Sequence, residues 1–296
     1  FWVEEEMKLD LTNEAYHARP EISSSDVKAV ALKSLLHWKN KVYKSSAAFD
    51  LGTAVHAMLL EPEKDLIVRG PEDRRGNKWK ELKLASDLDG KLLLTESDFD
   101  LAQAMAFAVL DHKAANAFFQ YKDMIAEGSF FVEDPQTGVK LKCRPDGFIP
   151  SIGMLFDVKT TQDASPNGFP RDLRKYGYDL QAAHYLAVWK AATGEDRRFR
   201  IIFVEKDAPY GVQVAELYRN RPREHVASTL GRIIKHLVRR RIDGGNRRGA
   251  DDGAAAGREG RAHQQQGRQG RHGGAGQRQH DQHQRHRRHQ RAAQVV

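Results

Sequence analysis

The sequence lacks several features, and each absence excludes a class of protein. Cys143 is the only cysteine among 296 residues, so an internal disulfide is impossible, as is usual in a reducing compartment. No apolar run approaches the roughly 18 residues that a membrane-spanning helix needs. The acidic start FWVEEEMKLD does not have the pattern of a signal peptide. We therefore expect a cytoplasmic protein that has no membrane partner.

The last 54 residues, from Asp243 onward, lack the side chains from which a hydrophobic core is built. They contain no Leu, Ile, Phe, Trp, Tyr, Lys or Met, but they include 11 Arg, 11 Gly, 10 Gln and 6 His. We expect such a segment to be disordered, or to be a non-native extension such as an out-of-frame sequence. The sequence therefore predicts a folded domain over residues 1–242 and a low-complexity tail over residues 243–296.

The predicted domain also lacks a strong excess of charge. The tail holds 11 of the 48 basic and 5 of the 40 acidic residues, which leaves 37 and 35 in the body, a net charge of +2 against +8 for the whole chain. The pI near 9.5 therefore comes largely from the tail. It is weak evidence that the body binds nucleic acid, although a nearly neutral domain can still carry a local basic groove.

The body does contain alternating helix and strand patterns. Three serines precede DVKAVALKSLLHW, a typical start of a helix. Further helices are predicted over about 48–60, 95–119, 178–192 and 221–241. Strands are predicted over 128–134, 139–149, 154–161, 198–207 and 211–218. The charged stretch from Leu66 to Leu93 is predicted to be an exposed connection. The fold class is therefore α/β (or α+β), with a mixed central sheet flanked by helices.

Two aspartates and a lysine mark the stretch CRPDGFIPSIGMLFDVKTT. Asp146 follows Pro145, and Asp157 and Lys159 stand on either side of Val158 in the next predicted strand. Because side chains alternate along a strand, Asp157 and Lys159 face one way and Val158 the other. Two carboxylates on neighbouring strands can hold Mg²⁺, and a nearby lysine can orient a water. Alternatively, Asp146 lies in a turn and the other two form the solvated face of an edge strand, since D-x-K strings are common.

Longer motifs around these residues resemble a known family. The P-D…(D/E)-x-K pattern is that of a large nuclease superfamily. The segments YHARPEISSSDVK, LGTAVHAMLLEPE, EGSFFVEDPQTGVKLKCRPDGF, DVKTT and QAAHYLAVW occur in an order similar to the exodeoxyribonuclease VIII (RecE-type) family, whose members are related to the RecB nuclease domain. The resemblance runs from Leu11 to the low 200s. It implies a PD-(D/E)xK restriction-endonuclease-like fold for nearly the whole body.

The resemblance also implies roles for the residues of the D-x-K stretch. Asp146 and Asp157 would be the main metal carboxylates, and the carbonyl of Val158 would be a backbone ligand. Lys159 would position the attacking water. The implied cofactor is Mg²⁺, with Mn²⁺ as a possible substitute because a histidine ligand suits it.

Two further residues gain a role only through the resemblance. His56, in LGTAVHAMLLEP, would match a helical histidine that ligates or adjoins the metal. Taken alone, it fits a histidine on a helix-packing face, because its neighbours are apolar. Glu127 would match the first acidic motif, and taken alone it fits a loop glutamate in front of a strand.

The remaining candidates are expected to contact DNA or to orient the catalytic residues. Gln181 and Tyr185 lie four residues apart, on one face of the predicted helix, and the resemblance implies that this pair borders the active site. Helix packing is the alternative for both. Thr160 and Thr161 could donate to phosphate, and Arg144 could contact a terminal phosphate or could be a solvated surface residue.

The resemblance implies a Mg²⁺-dependent exonuclease that digests one strand of linear double-stranded DNA, 5′ to 3′, and leaves single-stranded overhangs for homologous recombination. It also implies a ring-like homo-oligomer, a trimer or tetramer, and a single-strand annealing protein as partner. Two alternatives stay open. One is a RecB-like nuclease with another polarity or endonuclease activity, and the other is a non-catalytic nucleic-acid-binding protein that relies on its Arg-rich tail.

Overall fold

The computed structural model describes residues 7–8, 11–41, 47–134, 137–217 and 231. The predicted tail from Asp243 and, apart from Gly231, the predicted helix over 221–241 lie outside these residues. The division of the chain at residue 242 therefore stays a prediction. Within the described ranges, the protein has no helix that combines the length and the hydropathy needed to cross a bilayer.

The described chain contains both helices and strands, with runs of several helices or several strands in succession. The helices are α1 (Asn13–Ala18), α2 (Ser24–Leu32), α3 (Leu35–Lys39), α4 (Ala47–Leu60), α5 (Asn77–Leu88), α6 (Glu96–Asp111), α7 (Lys113–Phe119), α8 (Phe169–Lys175) and α9 (Tyr178–Thr193). The strands are β1 (Met7–Lys8), β2 (Ile67–Arg69), β3 (Leu92–Leu94), β4 (Ile125–Ala126), β5 (Ser129–Glu133), β6 (Lys140–Cys143), β7 (Gly147–Ile149), β8 (Met154–Thr161), β9 (Arg198–Glu205) and β10 (Val212–Glu216).

The five-stranded sheet that carries the D-x-K stretch is mixed, as the sequence predicts. Its order is β10-β9-β8-β7-β4, in which β8 and β9 are parallel and the other pairs are antiparallel. One face of this sheet packs against α2 and α9, and the other face packs against α4, α6 and α7. The strands β1, β5 and β6 form a second sheet, in which β5 and β6 are the predicted hairpin. The central sheet is thus flanked by helices.

Two of the predicted helices are each split by a residue that caps a second helix. The helix predicted after the three serines starts as expected, because the side chains of Ser23 and Asp26 each accept from the other residue's backbone N–H. It ends at Leu32, and the Ser34 hydroxyl accepts from the His37 N–H to begin α3. His112 divides the other in the same way, since its Nδ1 accepts from the Ala115 N–H at the start of α7. Side-chain oxygens and nitrogens that bind free N–H groups favour a new helix over continuation of the old one.

The prediction of an exposed connection between Leu66 and Leu93 was wrong in its secondary structure. This stretch contains α5 and two short strands, β2 and β3, which pair in parallel. Helix α5 buries only Ser86, whereas Leu84 and Leu88 are 65% and 80% exposed. Because its apolar residues do not form a buried stripe, the helix lacks the periodic signal on which sequence-based assignment depends.

The predicted strand over 139–149 is broken in the middle, and the break positions Asp146. Strand β6 ends at Cys143 in one sheet and β7 begins at Gly147 in the other. Pro145, in the crossing, has no N–H to donate to a ladder. Gly147 then pairs with Phe156 of β8, so closely that a Cβ atom at Gly147 would lie 2.1 Å from the Phe156 ring. This close approach brings Asp146 against β8.

Candidate active site

Hydrogen bonds from backbone N–H groups to the two carboxylates link Asp146 and Asp157. The Asp146 N–H donates to Asp157 Oδ1 at 3.1 Å, and the Val158 N–H donates to Asp146 Oδ2 at 2.7 Å. Asp157 is fully buried, and Asp146 is 8% exposed. Val158 faces the opposite side of the sheet and packs in the core with α4 and α6. The predicted alternation around Val158 is therefore present, and the pair is not on a solvated edge.

Lys159 lies beside both carboxylates. Its Nζ is 2.9 Å from Asp157 Oδ2 and 3.9 Å from Asp146 Oδ2. Burial acts to lower the pKa of Lys159, but the charges of Asp146 and Asp157 outweigh that effect and raise the pKa above its ordinary value. The ammonium group therefore stays protonated at neutral pH. In that state it can donate to an oxygen and balance negative charge, but it cannot accept a proton.

Helix α4 brings His56 to the same place from the other face of the sheet. The His56 Nε2 is 3.4 Å from Asp146 Oδ2 and 2.7 Å from the Val158 carbonyl oxygen. Ala54 and Val55, next to it in the helix, are fully buried, whereas the His56 side chain is 26% exposed. His56 is therefore a polar group at the rim of the site and not part of the apolar packing.

Glu127 joins these residues from the turn between β4 and β5. Its φ of +52° lies in the left-handed region, which a non-glycine residue rarely adopts. The Glu127 N–H donates to the Asp146 carbonyl oxygen at 3.1 Å, which fixes this conformation next to the site. Strained backbone of this kind is concentrated at functional sites. The geometry favours a site residue over an ordinary loop glutamate.

The side chains of His56, Glu127 and Asp146 fit a divalent metal ion. One ligand atom from each lies within 4.8 Å of the other two. Burial, and then the charge of Asp146, raises the pKa of Glu127 to about 8, because two carboxylates share a poorly solvated space. A divalent cation among them would relieve this repulsion. The two carboxylates suit Mg²⁺ or Mn²⁺, whereas the histidine is an unusual ligand for Mg²⁺. Asp157 is not in this triad, since its oxygens accept from Lys159, Gln181 and the Asp146 N–H.

Gln181 connects Asp157 to helix α9. Its Nε2 donates to Asp157 Oδ2 and lies 3.3 Å from the Tyr185 hydroxyl. Its Oε1 accepts from Lys28 Nζ of α2 at 3.1 Å. Burial, together with the charge of Lys159, lowers the pKa of Lys28 to about 8. The structure thus brings the predicted pair Gln181 and Tyr185 to the site, with Tyr185 buried behind Gln181.

Lys28 is a residue of this region that the sequence analysis missed. It lies 153 positions before Gln181, on a helix whose pattern indicated only packing. One sequence signal was available: Lys28 follows Val27 and precedes Val30, so it borders the buried stripe of α2.

The three residues predicted to contact DNA are placed less favourably. Arg144 is buried, and it donates to Ser129 Oγ at 2.7 Å and to the Leu11 carbonyl oxygen at 2.6 Å. It is therefore not a solvated surface residue, and its Nε is 3.9 Å from Glu127 Oε2. Thr161 is also buried.

The hydroxyl of Thr161 is already in use, because it donates to Asp172 Oδ2 at 2.6 Å. Thr160 is half-buried, and it faces the other side of the strand from Lys159. The structure therefore gives no support to phosphate contacts by Thr160, Thr161 or Arg144, and these contacts stay predictions.

The crowded carboxylates predict a pH-dependent stability. The pKa of Glu127 rises from 4.5 to about 8, and burial followed by the charge of Asp146 raises that of Asp157 from 3.8 to about 6, although Lys159 opposes the shift. When folding raises the pKa of a carboxyl group, the fold is most stable where that group is protonated. Its contribution is fully present below the unfolded-state pKa and is lost as pH rises through the folded-state pKa. We therefore expect these two carboxyl groups to lower the melting temperature of metal-free protein between about pH 5 and 8. Below about pH 6.5 the buried His184, whose pKa is lowered to about 4, partly offsets them.

A thermal melt series in a chelator checks this expectation. Saturating Mg²⁺ should flatten the profile, because the cation balances the carboxylates. The Glu127→Gln variant removes the titrating group while it keeps the shape, so its metal-free profile should be flatter than that of the wild type. Equal slopes for this variant and the wild type would contradict the assignment.

The fold and the site together define a class. Two aspartates and a lysine on adjoining strands of a mixed, helix-flanked sheet are the arrangement of the PD-(D/E)xK nuclease superfamily, as the sequence predicts. The sequence pattern of the family described as "PDDEXK-like domain of unknown function (DUF3799)" matches residues 22–239, and the chain therefore belongs to this family.

A solved structure agrees on the fold. One named "Putative exonuclease", from Eubacterium rectale, has 18% identity and a TM-score of 0.51 over 78% of this chain and 85% of that chain. At this identity the likeness shows the fold alone. A phage related exonuclease from Haemophilus somnus 129PT has 12% identity and a TM-score of 0.31 over 75% and 97%, which is too low to support an argument. No protein with a curated description matches the chain.

Proposed function

We propose that the protein is a metal-dependent exodeoxyribonuclease that digests one strand of linear double-stranded DNA. The observation that carries the proposal is the convergence of Asp146, Asp157 and Lys159 with His56 and Glu127 on one spot. A purely structural ion cluster would not need a strained glutamate and two buried aspartates beside an accessible histidine. Membership of the PDDEXK-like family supports the chemistry.

The site residues form two groups: those that would bind the metal ion and those that would position the water and the phosphate. Asp146, Glu127 and His56 face a common space and would hold Mg²⁺, with Mn²⁺ as a substitute. When bound, such an ion polarises the phosphate and lowers the pKa of a nearby water. The Val158 carbonyl oxygen, next to His56 Nε2, would be a backbone ligand of the ion. Asp157 is oriented by Gln181 and Lys159, so it would join the ligands only if one of its oxygens turned from these donors.

Lys159 acts on the reacting groups. Its protonated Nζ would orient the attacking water through a hydrogen bond and balance charge that develops on the phosphate. Gln181 keeps Asp157 in place, and Asp157 in turn holds the lysine. Tyr185 limits the motion of Gln181 from behind. The protein's own contribution to hydrolysis is thus the placement of the water and the phosphate.

The finer features of the proposal come from the RecE-type resemblance. They are 5′-to-3′ polarity, single-stranded overhangs for recombination, a ring-like trimer or tetramer and a single-strand annealing partner. The motifs around Asp146, Asp157 and Gln181 carry the resemblance, and these finer features follow from the family alone. A RecB-like nuclease of other polarity shares the same metal site and is the second candidate.

Cleavage of defined duplexes tests the proposal. We expect a linear duplex labelled at its 5′ ends to release the label early in Mg²⁺, and covalently closed circles of the same sequence to survive. A matched duplex labelled at its 3′ ends should release label late. Rapid cutting of the circles would support an endonuclease, early 3′ release would reverse the polarity, and binding without any cleavage in Mg²⁺ or Mn²⁺ would support the non-catalytic alternative.

A further inference from the structure

Next to the active site, two tyrosine rings and two lysines form a surface that the hydrolytic reaction does not use. Tyr176 directly follows α8 and Tyr178 begins α9, and their ring centroids are 5.7 Å apart with an interplanar angle of 34°. Lys175 Nζ lies 4.9 Å from the Tyr176 ring centroid, and Lys28 Nζ lies 5.7 Å from that of Tyr178. We refer to Tyr176, Tyr178, Lys28 and Lys175 as the tyrosine surface.

The tyrosine surface is continuous with the active site. Lys159 Nζ is 5.8 Å from the Tyr178 ring centroid, so Tyr178 has an active-site ammonium group as well as Lys28 close to its ring. Tyr178 also packs on Phe203 of the sheet, which fixes its ring. Tyr176 is 45% exposed and lies on the outer side of this row. An extended ligand that runs from Lys159 along this row would contact first the Tyr178 ring and then the exposed Tyr176 ring.

The charges around the rings favour an anion. Lys28 donates to the neutral amide oxygen of Gln181 and not to a carboxylate. Lys175 forms no ion pair within the described residues. The acidic residues of α8 and α9 are Asp172, which accepts from the Thr161 hydroxyl, and Asp179, which accepts from the Leu180 N–H. Within the part of the chain that the structure describes, neither ammonium group forms an ion pair, although the charge of Asp157 acts on Lys28, and both lie beside a tyrosine ring.

We propose that the tyrosine surface binds single-stranded DNA, with a base stacked on Tyr176 and phosphates paired with Lys28 and Lys175. Aromatic side chains that alternate with cations are how proteins bind single strands without sequence preference, because every unpaired base has a flat face. A base inside a duplex does not offer that face. An acidic peptide would use the two cations but not the ring.

The proposal rests on the proposed function, since cleavage of one strand leaves the other unpaired at this point. It assigns the uncut strand to the region next to Lys159. It does not depend on cleavage for its test, because binding is measured without metal.

Binding of a fluorescent oligothymidylate in a chelator tests the base contact. We expect Tyr176→Ala to bind about tenfold more weakly than the wild type, since one stacked base is worth that much. Tyr176→Phe keeps the ring and should bind as the wild type does. Phe107→Ala is the control, because it removes a 62% exposed ring from α6, which packs on the other face of the sheet. It should leave affinity unchanged.

An abasic oligonucleotide of the same length separates stacking from charge. Tyr176→Ala should bind it as tightly as the wild type does, whereas Lys175→Ala should weaken both oligonucleotides and reduce the slope of log affinity against log salt by about 0.7. Lys83→Ala, in an exposed pair with Asp87 on α5, is the matched charge control. A Tyr176→Ala protein with wild-type affinity for oligothymidylate, or with an equal loss on the abasic strand, overturns the proposal.

The two proposals fail separately. If Tyr176→Ala loses oligothymidylate binding but the wild type cleaves no DNA, the tyrosine surface stands and the nuclease assignment fails. If the wild type cleaves linear duplexes and Tyr176→Ala binds the oligonucleotide normally, the nuclease assignment stands and the tyrosine surface is wrong.

Discussion

Asp146→Ala and Asp157→Ala should each abolish cleavage of linear duplex DNA, with a loss of at least about 10³-fold in single-turnover rate. The reason is that charge stabilisation by a bound divalent ion is worth several kcal/mol. Asp146 supplies a ligand of the proposed metal triad, and Asp157 holds both Lys159 and the Asp146 backbone. Duplex binding should largely persist, because most affinity for DNA comes from phosphate contacts away from the site.

The two variants should differ in metal binding. Calorimetric titration with Mn²⁺ should show that Asp146→Ala loses the ion whereas Asp157→Ala retains it, because Asp157 lies outside the triad. Loss of the ion by Asp157→Ala would instead make Asp157 a ligand. Asp87→Ala is the control, because it removes an exposed carboxylate from α5. Circular dichroism melts exclude unfolding as the cause. Wild-type degradation of linear duplex by Asp157→Ala would show that the site is wrongly assigned.

Lys159→Met should lose the chemical step while it keeps the metal. Its expected loss in single-turnover rate is about 10²- to 10⁴-fold, the usual contribution of a positioned proton donor or of a charge aimed at the reacting group. Methionine keeps the length of the side chain, which limits the cavity. Without the ammonium group the pKa of Asp157 should rise further, since Lys159 is the charge that lowers it.

The readout that identifies Lys159 as a catalytic residue is the separation of two constants. Mn²⁺ affinity should stay within a few-fold of the wild type, whereas the rate falls. Lys190→Met, which breaks an exposed pair with Asp196, is the matched control and should change neither constant. A parallel loss of metal affinity and rate would assign Lys159 to the architecture of the metal site.

Local patterns predicted the centre of the fold well. Strand β8 was recognisable because apolar residues flank Asp157 and Lys159, and its alternation placed Val158 in the opposite core. Strand β9 and helix α9 were also predicted, and their ends differ from the predicted ones by no more than two residues. The family resemblance then supplied Glu127 and His56, whose own neighbours in sequence indicated only a loop and a packed helix.

The rest depended on partners that are distant in sequence. The break between β6 and β7 arises because the chain changes sheets, which a single strand pattern cannot show. Arg144 was predicted either to contact a terminal phosphate or to be a solvated surface residue. It is buried, because it donates to Ser129 Oγ and to the Leu11 carbonyl oxygen and lies over the Tyr16 ring. Those groups come from separate parts of the chain. Contacts of this kind become visible only when the topology is known.

The site is assembled from segments that no short stretch of chain can bring together. His56 comes from α4, Glu127 from the turn before β5, Asp157 from β8 and Gln181 from α9, and β8 pairs in parallel with β9 across two helices. Pairings over such sequence separations form late in folding, because the loop entropy must be lost first. A nascent or partly folded chain therefore cannot assemble the proposed centre, and any hydrolytic activity would be confined to molecules that have completed the fold.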